Sequence, residues 1–120
     1  MSQQPPEKPF FIPAEDLRDL VADSSGCFAS DRIVVEGKKV GFLYREEPDF
    51  DEDSGWRFLA GDEPDDYMAD ASHFGIYEVN TIANYDLNII PLLNSEIGTA
   101  FEWDAEEKQF VEVDFDDDDE

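Results

Sequence analysis

The segment RIVVEGKKVGFLYRE (Arg32–Glu46) contains two apolar runs with a glycine between them. Short runs rich in β-branched and aromatic residues, bounded by turn residues, are typical of strands. We therefore predict two strands joined by a turn at Gly37. In the second strand, period-two alternation puts Val40, Phe42 and Tyr44 on one face.

Further strand signals lie downstream of this segment. The run GWRFLAG (Gly55–Gly61) predicts a strand with Trp56 and Phe58 on one face and Arg57 and Leu59 on the other. The runs TAFEW and QFVEVDF flank the turn residues DAEEK and predict a closing hairpin. Strand connections made of turns favour an antiparallel sheet over a parallel one.

An amphipathic stretch precedes the strands. Pro13 suits a first helical turn, and Leu17, Leu20 and Val21 recur at helical spacing. The sequence therefore predicts an α+β protein: a single domain with a mainly antiparallel sheet of short strands, one N-terminal helix and long polar loops. The predicted boundaries are a flexible segment over residues 1–9, the domain over 10–115 and an acidic disordered tail over 116–120.

The charge of the chain is strongly one-sided. Its 120 residues include 32 acidic and 8 basic ones, which gives a formal net charge of −24. Such a surface repels nucleic acids and anionic membranes, so we expect neither as a partner, and it attracts a basic protein face. The start of the chain has no signal-peptide pattern, no apolar run reaches membrane-spanning length, and Cys27 is the single cysteine. These features predict a soluble cytoplasmic protein.

The acidic loop that begins at Asp49 raises the question of a calcium site. A calcium-binding helix–loop–helix motif needs glycine at position 6 and glutamate at position 12. From Asp49 these positions hold Ser54 and Ala60, and the register that starts at Asp51 fails as well. One histidine and one cysteine are too few for a zinc site. We predict no bound metal and no cofactor, and leave weak divalent cation binding open.

Nucleophilic catalysis needs a nucleophile, a base and an orienting group. Cys27, His73 and Asp62 supply one of each, but Cys27 lies beside Phe28 in an apolar run that is typical of a buried thiol. Paired carboxylates are too frequent here to be informative, although Asp62 and Glu63 directly follow an apolar strand. We interpret the trio as coincidence and predict no catalytic residues.

Arg57 is a cation among many carboxylates. We expect it to pair with the Asp51–Asp53 loop or with Asp62 and Glu63. A fixed ion pair that holds a loop against the sheet is the interpretation we favour, and an anchor in a partner interface is the alternative.

Several motifs resemble those of the bacterial immunity protein 33-like domain family. They occur in order from Gly26 to Trp103: CFASDRI, KVGFLYREEPD, DSGWRFLAGDE, IYEVNTIANYD and IGTAFEW. Some members of that family are inferred to be immunity proteins that protect against bacterial toxins. The resemblance implies no catalytic residue and no cofactor.

Resemblance and charge together give one hypothesis. The chain is a non-catalytic binding domain that neutralises a cognate toxin by stoichiometric binding of an acidic surface to a basic toxin face. If Trp56 and Tyr85 are buried, the role of aromatic anchor passes to Tyr67 and Phe74. The candidate partner-binding residues are Asp51, Asp53, Trp56, Arg57, Asp62, Glu63, Tyr67 and Tyr85.

Two alternatives stay open. The first is a housekeeping binding or scaffold domain whose acidity maintains solubility. The second is a divalent-metal-dependent or carboxylate-based enzyme. The sequence predicts neither the identity of the partner nor the oligomeric state.

Overall fold

Six short strands in one mixed sheet form the centre of the computed structural model, which describes residues 10–22 and 25–113. The strands are β1 Gly26–Ser30, β2 Phe42–Arg45, β3 Asp53–Leu59, β4 Phe74–Glu78, β5 Ala100–Asp104 and β6 Gln109–Val113. The helices are α1 Asp31–Val34, α2 Asp65–Met68 and α3 Val79–Tyr85, with 3-10 turns at Ala14–Asp16, Ala71–His73 and Leu87–Leu92. The α+β class and the single domain are confirmed.

The strand order is β4-β1-β3-β2-β5-β6. Among the described residues, four strand pairings are antiparallel, whereas β1 and β3 are parallel. The prediction of a mainly antiparallel sheet therefore has to be corrected to a mixed sheet. The parallel pair arises because β2 runs opposite to β1, the chain reverses again into β3, and β3 inserts between β1 and β2.

The connection between β1 and β2 also differs from the prediction. The first strand predicted within Arg32–Glu46 is wrong, because the short helix α1 forms there. The Ser30 hydroxyl accepts the N–H of Arg32 at 3.0 Å and caps the helix. Ile33 and Val34 are buried in the core, so tertiary packing overrides the strand preference of these β-branched residues. The predicted turn at Gly37 is present, with φ of 80°.

The predicted N-terminal helix is wrong. Only the 3-10 turn Ala14–Asp16 forms there, and residues 17–21 are irregular. The N–H groups of Leu20 and Val21 donate to Oδ1 of Asn80 on α3, at 2.7 and 3.0 Å. These donors are therefore satisfied by a side chain instead of by helical carbonyls.

One face of the sheet packs against α1 and α3 and forms the core. Trp56 and Phe58 stack there at 6.0 Å between ring centroids, and Leu43 of β2 is fully buried beside them. Arg57 and Leu59 occupy the other face, so the alternation predicted for β3 is confirmed.

Several local predictions are also confirmed. β5 and β6 form the closing hairpin. Gly41 makes a close backbone approach, because a Cβ atom there would overlap the carbonyl oxygen of Ala60. The predictions for residues 1–9 and 116–120 lie outside the described residues.

Candidate protein-binding face

A bulge in β3 builds the charged centre of the outer sheet face. Gly26 and Phe28 of β1 pair with Asp53 and Arg57 of β3, so a step of two residues along β1 matches a step of four along β3. Gly55 lies within this bulge at φ of 90°, a conformation that glycine adopts without steric cost. In a regular strand, residues four apart are separated by about 13 Å. The bulge brings the side chains of Asp53 and Arg57 into contact.

Arg57 is fixed by hydrogen bonds to two carboxylates, and a third, that of Asp49, lies 3.7 Å from its Nη2. Its Nη1 and Nη2 donate to Oδ1 and Oδ2 of Asp53, both at 2.9 Å, and its Nε donates to Oε2 of Glu46 at 2.6 Å. Asp53 also accepts the N–H groups of Asp49 and Gly55 at 2.8 and 2.9 Å. The Arg57 side chain is 5% exposed and that of Asp53 is fully buried, so this is a structural ion pair that also holds the β2–β3 loop.

The network keeps both groups charged. Burial alone would raise the pKa of Asp53, but the hydrogen bonds from Arg57 and from the two N–H groups lower that pKa to about 2. Burial acts to lower the pKa of Arg57, and the hydrogen bonds to Asp53 and Glu46 outweigh it and raise the pKa above its ordinary value. Neither charge is free to meet a partner.

An apolar groove of about 650 Å³ lies on this outer face, and we call it the sheet groove. Strand register places Ile76, Phe28, Arg57 and Tyr44 side by side across β4, β1, β3 and β2. Met68 of α2 contributes a wall. The apolar lining consists of Phe28, Tyr44, Leu59, Met68, Phe74 and Ile76, together with Phe58.

The groove is open to solvent along its apolar rim. Ile76 is 58% exposed and Met68 is 40% exposed. Phe50, on the β2–β3 loop, packs its ring edgewise against Phe28 at 6.5 Å. The Arg57 guanidinium also lies against Phe28, 4.3 Å from the ring centre, which is a cation–π distance. The floor is therefore rigid while the rim presents accessible apolar surface.

A second hollow of about 550 Å³ adjoins the sheet groove. Leu59 and Met68 line both, so the two hollows are neighbours on one face. The rest of the lining of this second hollow is more polar and includes Glu63, Asp65 and Glu102.

The structure places two candidate aromatic residues in the interior. Trp56 is 1% exposed and Tyr85 is 6% exposed. The Tyr85 hydroxyl accepts the N–H of Ile12 at 3.0 Å and donates to the carbonyl of Val34 at 3.1 Å. Both rings stabilise the fold and neither is presented at the surface, so neither can act as a surface anchor.

Tyr67 lies in a stack of side chains at the α2–β4 end of the groove. Its ring stacks on His73 at 3.9 Å between centroids and contacts Phe74 edgewise at 6.3 Å. The guanidinium of Arg32 lies 4.9 Å from its ring centre. Tyr67 is partly buried, and Phe74 is a lining residue of the sheet groove.

The remaining acidic candidates occupy loops. Asp51 is exposed on the β2–β3 loop. Asp62 is exposed and lies 3.6 Å from Arg32 and 3.7 Å from Lys38. Glu63 accepts the N–H groups of Ala60 and Gly61 at 2.8 and 2.9 Å and so closes the turn after β3. Asp51 and Asp62 are therefore on separate loops, and Asp53 is in the interior.

The asparagines of the NTIANYD segment have a structural role. Asn80 and Asn84 are one turn apart on α3 and share a face. Asn84 Oδ1 accepts the N–H of Arg18 at 2.9 Å, and both side-chain amides donate to the Arg18 carbonyl. These bonds attach the irregular N-terminal segment to the domain.

Cys27 and the acidic side chains were the candidates for nucleophilic and metal chemistry. Cys27 is 1% exposed in the core, and burial raises the pKa of its thiol far above the ordinary value. Within residues 10–22 and 25–113, no group of three or more His, Cys, Asp and Glu side chains is arranged to hold a metal ion. No helix in the described part of the chain has the length and apolar character that a membrane crossing requires.

Sequence reasoning missed most of the sheet groove. Phe28, Tyr44, Met68 and Ile76 were not among the candidates. The available signal was that consecutive residues are apolar in β1, at Cys27, Phe28 and Ala29, and at the end of β3, at Phe58 and Leu59, which indicates that both faces of these strands are covered or contacted.

Comparison with known proteins gives a family match. The model of the family described as Immunity protein Imm33 domain matches residues 27–114, a range that contains nearly all of the sheet. No curated protein and no solved structure matches the chain.

Proposed function

This chain belongs to the Immunity protein Imm33 domain family, and on that premise we propose that it is a non-catalytic domain that neutralises a bacterial toxin by stoichiometric binding. The observation that carries the proposal is an apolar groove on a rigid sheet, within a chain of net charge −24. A toxin domain with a basic face is the expected partner.

The charge supports fast and selective association. Exposed carboxylates on the β2–β3 loop and around α2 are Glu47, Asp49, Asp51, Glu52, Asp65, Asp66 and Asp70. Opposite electrostatic fields steer two proteins together and raise the association rate. Toxins that act on nucleic acids are basic where they hold phosphate, so an acidic protein that covers this face blocks the substrate.

Rigid parts of the fold support tight binding. The Arg57–Asp53 pair and the hydrogen bonds of Asn80 fix the loop and the N-terminal segment before a partner arrives. Preorganisation lowers the conformational entropy that is lost on binding. Tyr67 and Phe74 are the aromatic residues that we assign as anchors, because they border the groove.

We assign the complex to the cytoplasm. The single cysteine, Cys27, is a buried free thiol and fits a reducing compartment. The same negative field that attracts a basic protein disfavours nucleic acid as a direct partner.

Co-expression tests the proposal. The product of each flanking gene is expressed in a susceptible bacterium with and without the 120-residue chain, and growth is recorded. The proposal expects growth to be restored and the two proteins to co-purify in equimolar amounts. If the wild-type chain is expressed and folded but protects against the product of neither flanking gene, the proposal fails.

A further inference from the structure

The geometry points to the sheet groove as the docking site, and to its occupant as an apolar side chain carried by a basic segment of the partner protein. This inference rests on the proposed function and specifies where and how the toxin binds.

The apolar part of the argument comes from exposure. Ile76 and Met68, which line the groove, are 58% and 40% exposed, and Phe50 beside it is 38% exposed. A concave, mainly apolar lining with a few charged groups is the usual composition of a binding site. The volume of about 650 Å³ lies within the range of pockets that enclose a ligand or a large side chain.

The charge of the groove selects the occupant. Arg57 is the single cationic side chain of the lining, and Asp53 and Glu46 already pair with it. Glu46 is 37% exposed while it holds Arg57, so it can accept a further cation from the partner. The floor therefore has a net negative charge.

The rim has the same sign. Asp65 and Asp66 lie on the helix of Met68, Asp70 follows that helix, and Glu78 follows Ile76 on β4; all four are exposed. An apolar side chain that enters the groove is therefore surrounded by carboxylates, and lysine or arginine on either side of it complements them. A second copy of this chain, with its own charge of −24, is repelled.

Matched variants test the groove. I76E and M68E each place a carboxylate in the apolar lining. L87E and I97E place the same charge at apolar residues that are equally exposed, at 61% and 46%, but line neither hollow. All four have the same net charge, so long-range attraction changes equally in each.

The probe is the toxin domain against which the chain protects in the co-expression test, with affinity measured by titration calorimetry and folding checked by circular dichroism. We expect I76E and M68E to weaken binding on the order of 30-fold and the two controls to weaken it less than about threefold. Using two independent groove variants keeps the test valid if one of them fails to fold.

The outcomes separate the two proposals. A wild-type chain that does not bind the toxin overturns the proposed function. Wild-type binding that all four variants retain equally overturns the groove assignment alone. Sedimentation that shows a wild-type dimer, disrupted by I76E and M68E but not by L87E, assigns the groove to a second copy and overturns the assignment to a basic partner.

Discussion

Arg57 and Asp53 form a bidentate ion pair inside the sheet, although they are four positions apart on the same strand. The bulge at Gly55 makes the pair possible, and the pair in turn fixes the floor of the sheet groove. Fold stability and the shape of the proposed binding face therefore depend on the same residues.

Asp53→Asn removes the charge that compensates Arg57. We expect the free energy of unfolding to fall by about 3 kcal/mol, because a buried cation then keeps Glu46 as its main partner. Chemical denaturation measures the loss. Asp51→Asn is the matched control, since Asp51 is exposed two residues away, and we expect a change within about 0.5 kcal/mol. Equal stability of the two variants contradicts a structural role for the pair.

The stability difference between wild type and Asp53→Asn depends on pH. The pKa of Asp53 is about 2 in the folded state against an ordinary value of 3.8, so the unfolded state binds more protons between these values. The stabilisation is complete above about pH 4 and is lost as the pH falls through 2. We expect the difference to shrink by about 2 kcal/mol between pH 5 and pH 2. A difference that is constant with pH contradicts the lowered pKa.

Acid also reduces the repulsion among the other carboxylates, which stabilises the folded state. This effect is common to wild type and variant and cancels in the difference. The prediction is therefore restricted to the difference, and denaturation curves of both proteins at each pH are needed.

Asn80→Ala should release the N-terminal segment. Asn80 accepts two backbone N–H groups and donates to the Arg18 carbonyl, so its loss leaves two partly buried donors without acceptors. We expect a loss of about 1–3 kcal/mol and faster tryptic cleavage after Arg18. Asn94→Ala, at an exposed asparagine, is the control. Unchanged protection of Arg18 in Asn80→Ala means that the segment is held by other contacts.

Gly41→Ala should destabilise the sheet by about 2–3 kcal/mol, because the new Cβ overlaps the Ala60 carbonyl oxygen and neither backbone segment can yield cheaply. Gly26→Ala is the matched change, since its nearest atom, the carbonyl oxygen of Glu52, is at an ordinary 3.5 Å. Thermal unfolding compares the two. If Gly41→Ala unfolds at the same temperature as Gly26→Ala, the close approach is not a packing constraint.

Charge reversal at the β2–β3 loop should slow toxin association. We expect the double variant D51K/E52K to reduce the association rate on the order of tenfold at low salt. The variant E106K/E107K changes the net charge equally on the β5–β6 turn and should have a smaller effect. Stopped-flow mixing measures both rates, and equal slowing by the two variants contradicts a local role for the loop.

The sequence was informative where local pattern determines structure. The alternation of Trp56 and Arg57 predicted the two faces of β3, and the turn residues between β5 and β6 predicted the hairpin. Arg57 was expected to pair with a carboxylate and does so with Asp53. These features depend on residues that are close together in the chain.

Non-local features could not be predicted in this way. Ile33 and Val34 suit a strand as well as a helix. They form a helix here because β3 occupies the place beside β1 that a strand at these residues would take. The segment before β1 is irregular because of Asn80, sixty residues away from Leu20. The sheet groove combines Phe28, Met68 and other residues that only the folded sheet brings together.

The most direct test of the account is a titration of the toxin domain identified by co-expression with the 120-residue chain, at about 0.05 M and about 0.5 M salt. Toxin activity is recorded in the same samples. The account predicts an equimolar complex, loss of toxin activity at equivalence, and affinity that is weaker on the order of tenfold at the higher salt concentration. A toxin that stays fully active in the presence of excess folded chain contradicts it.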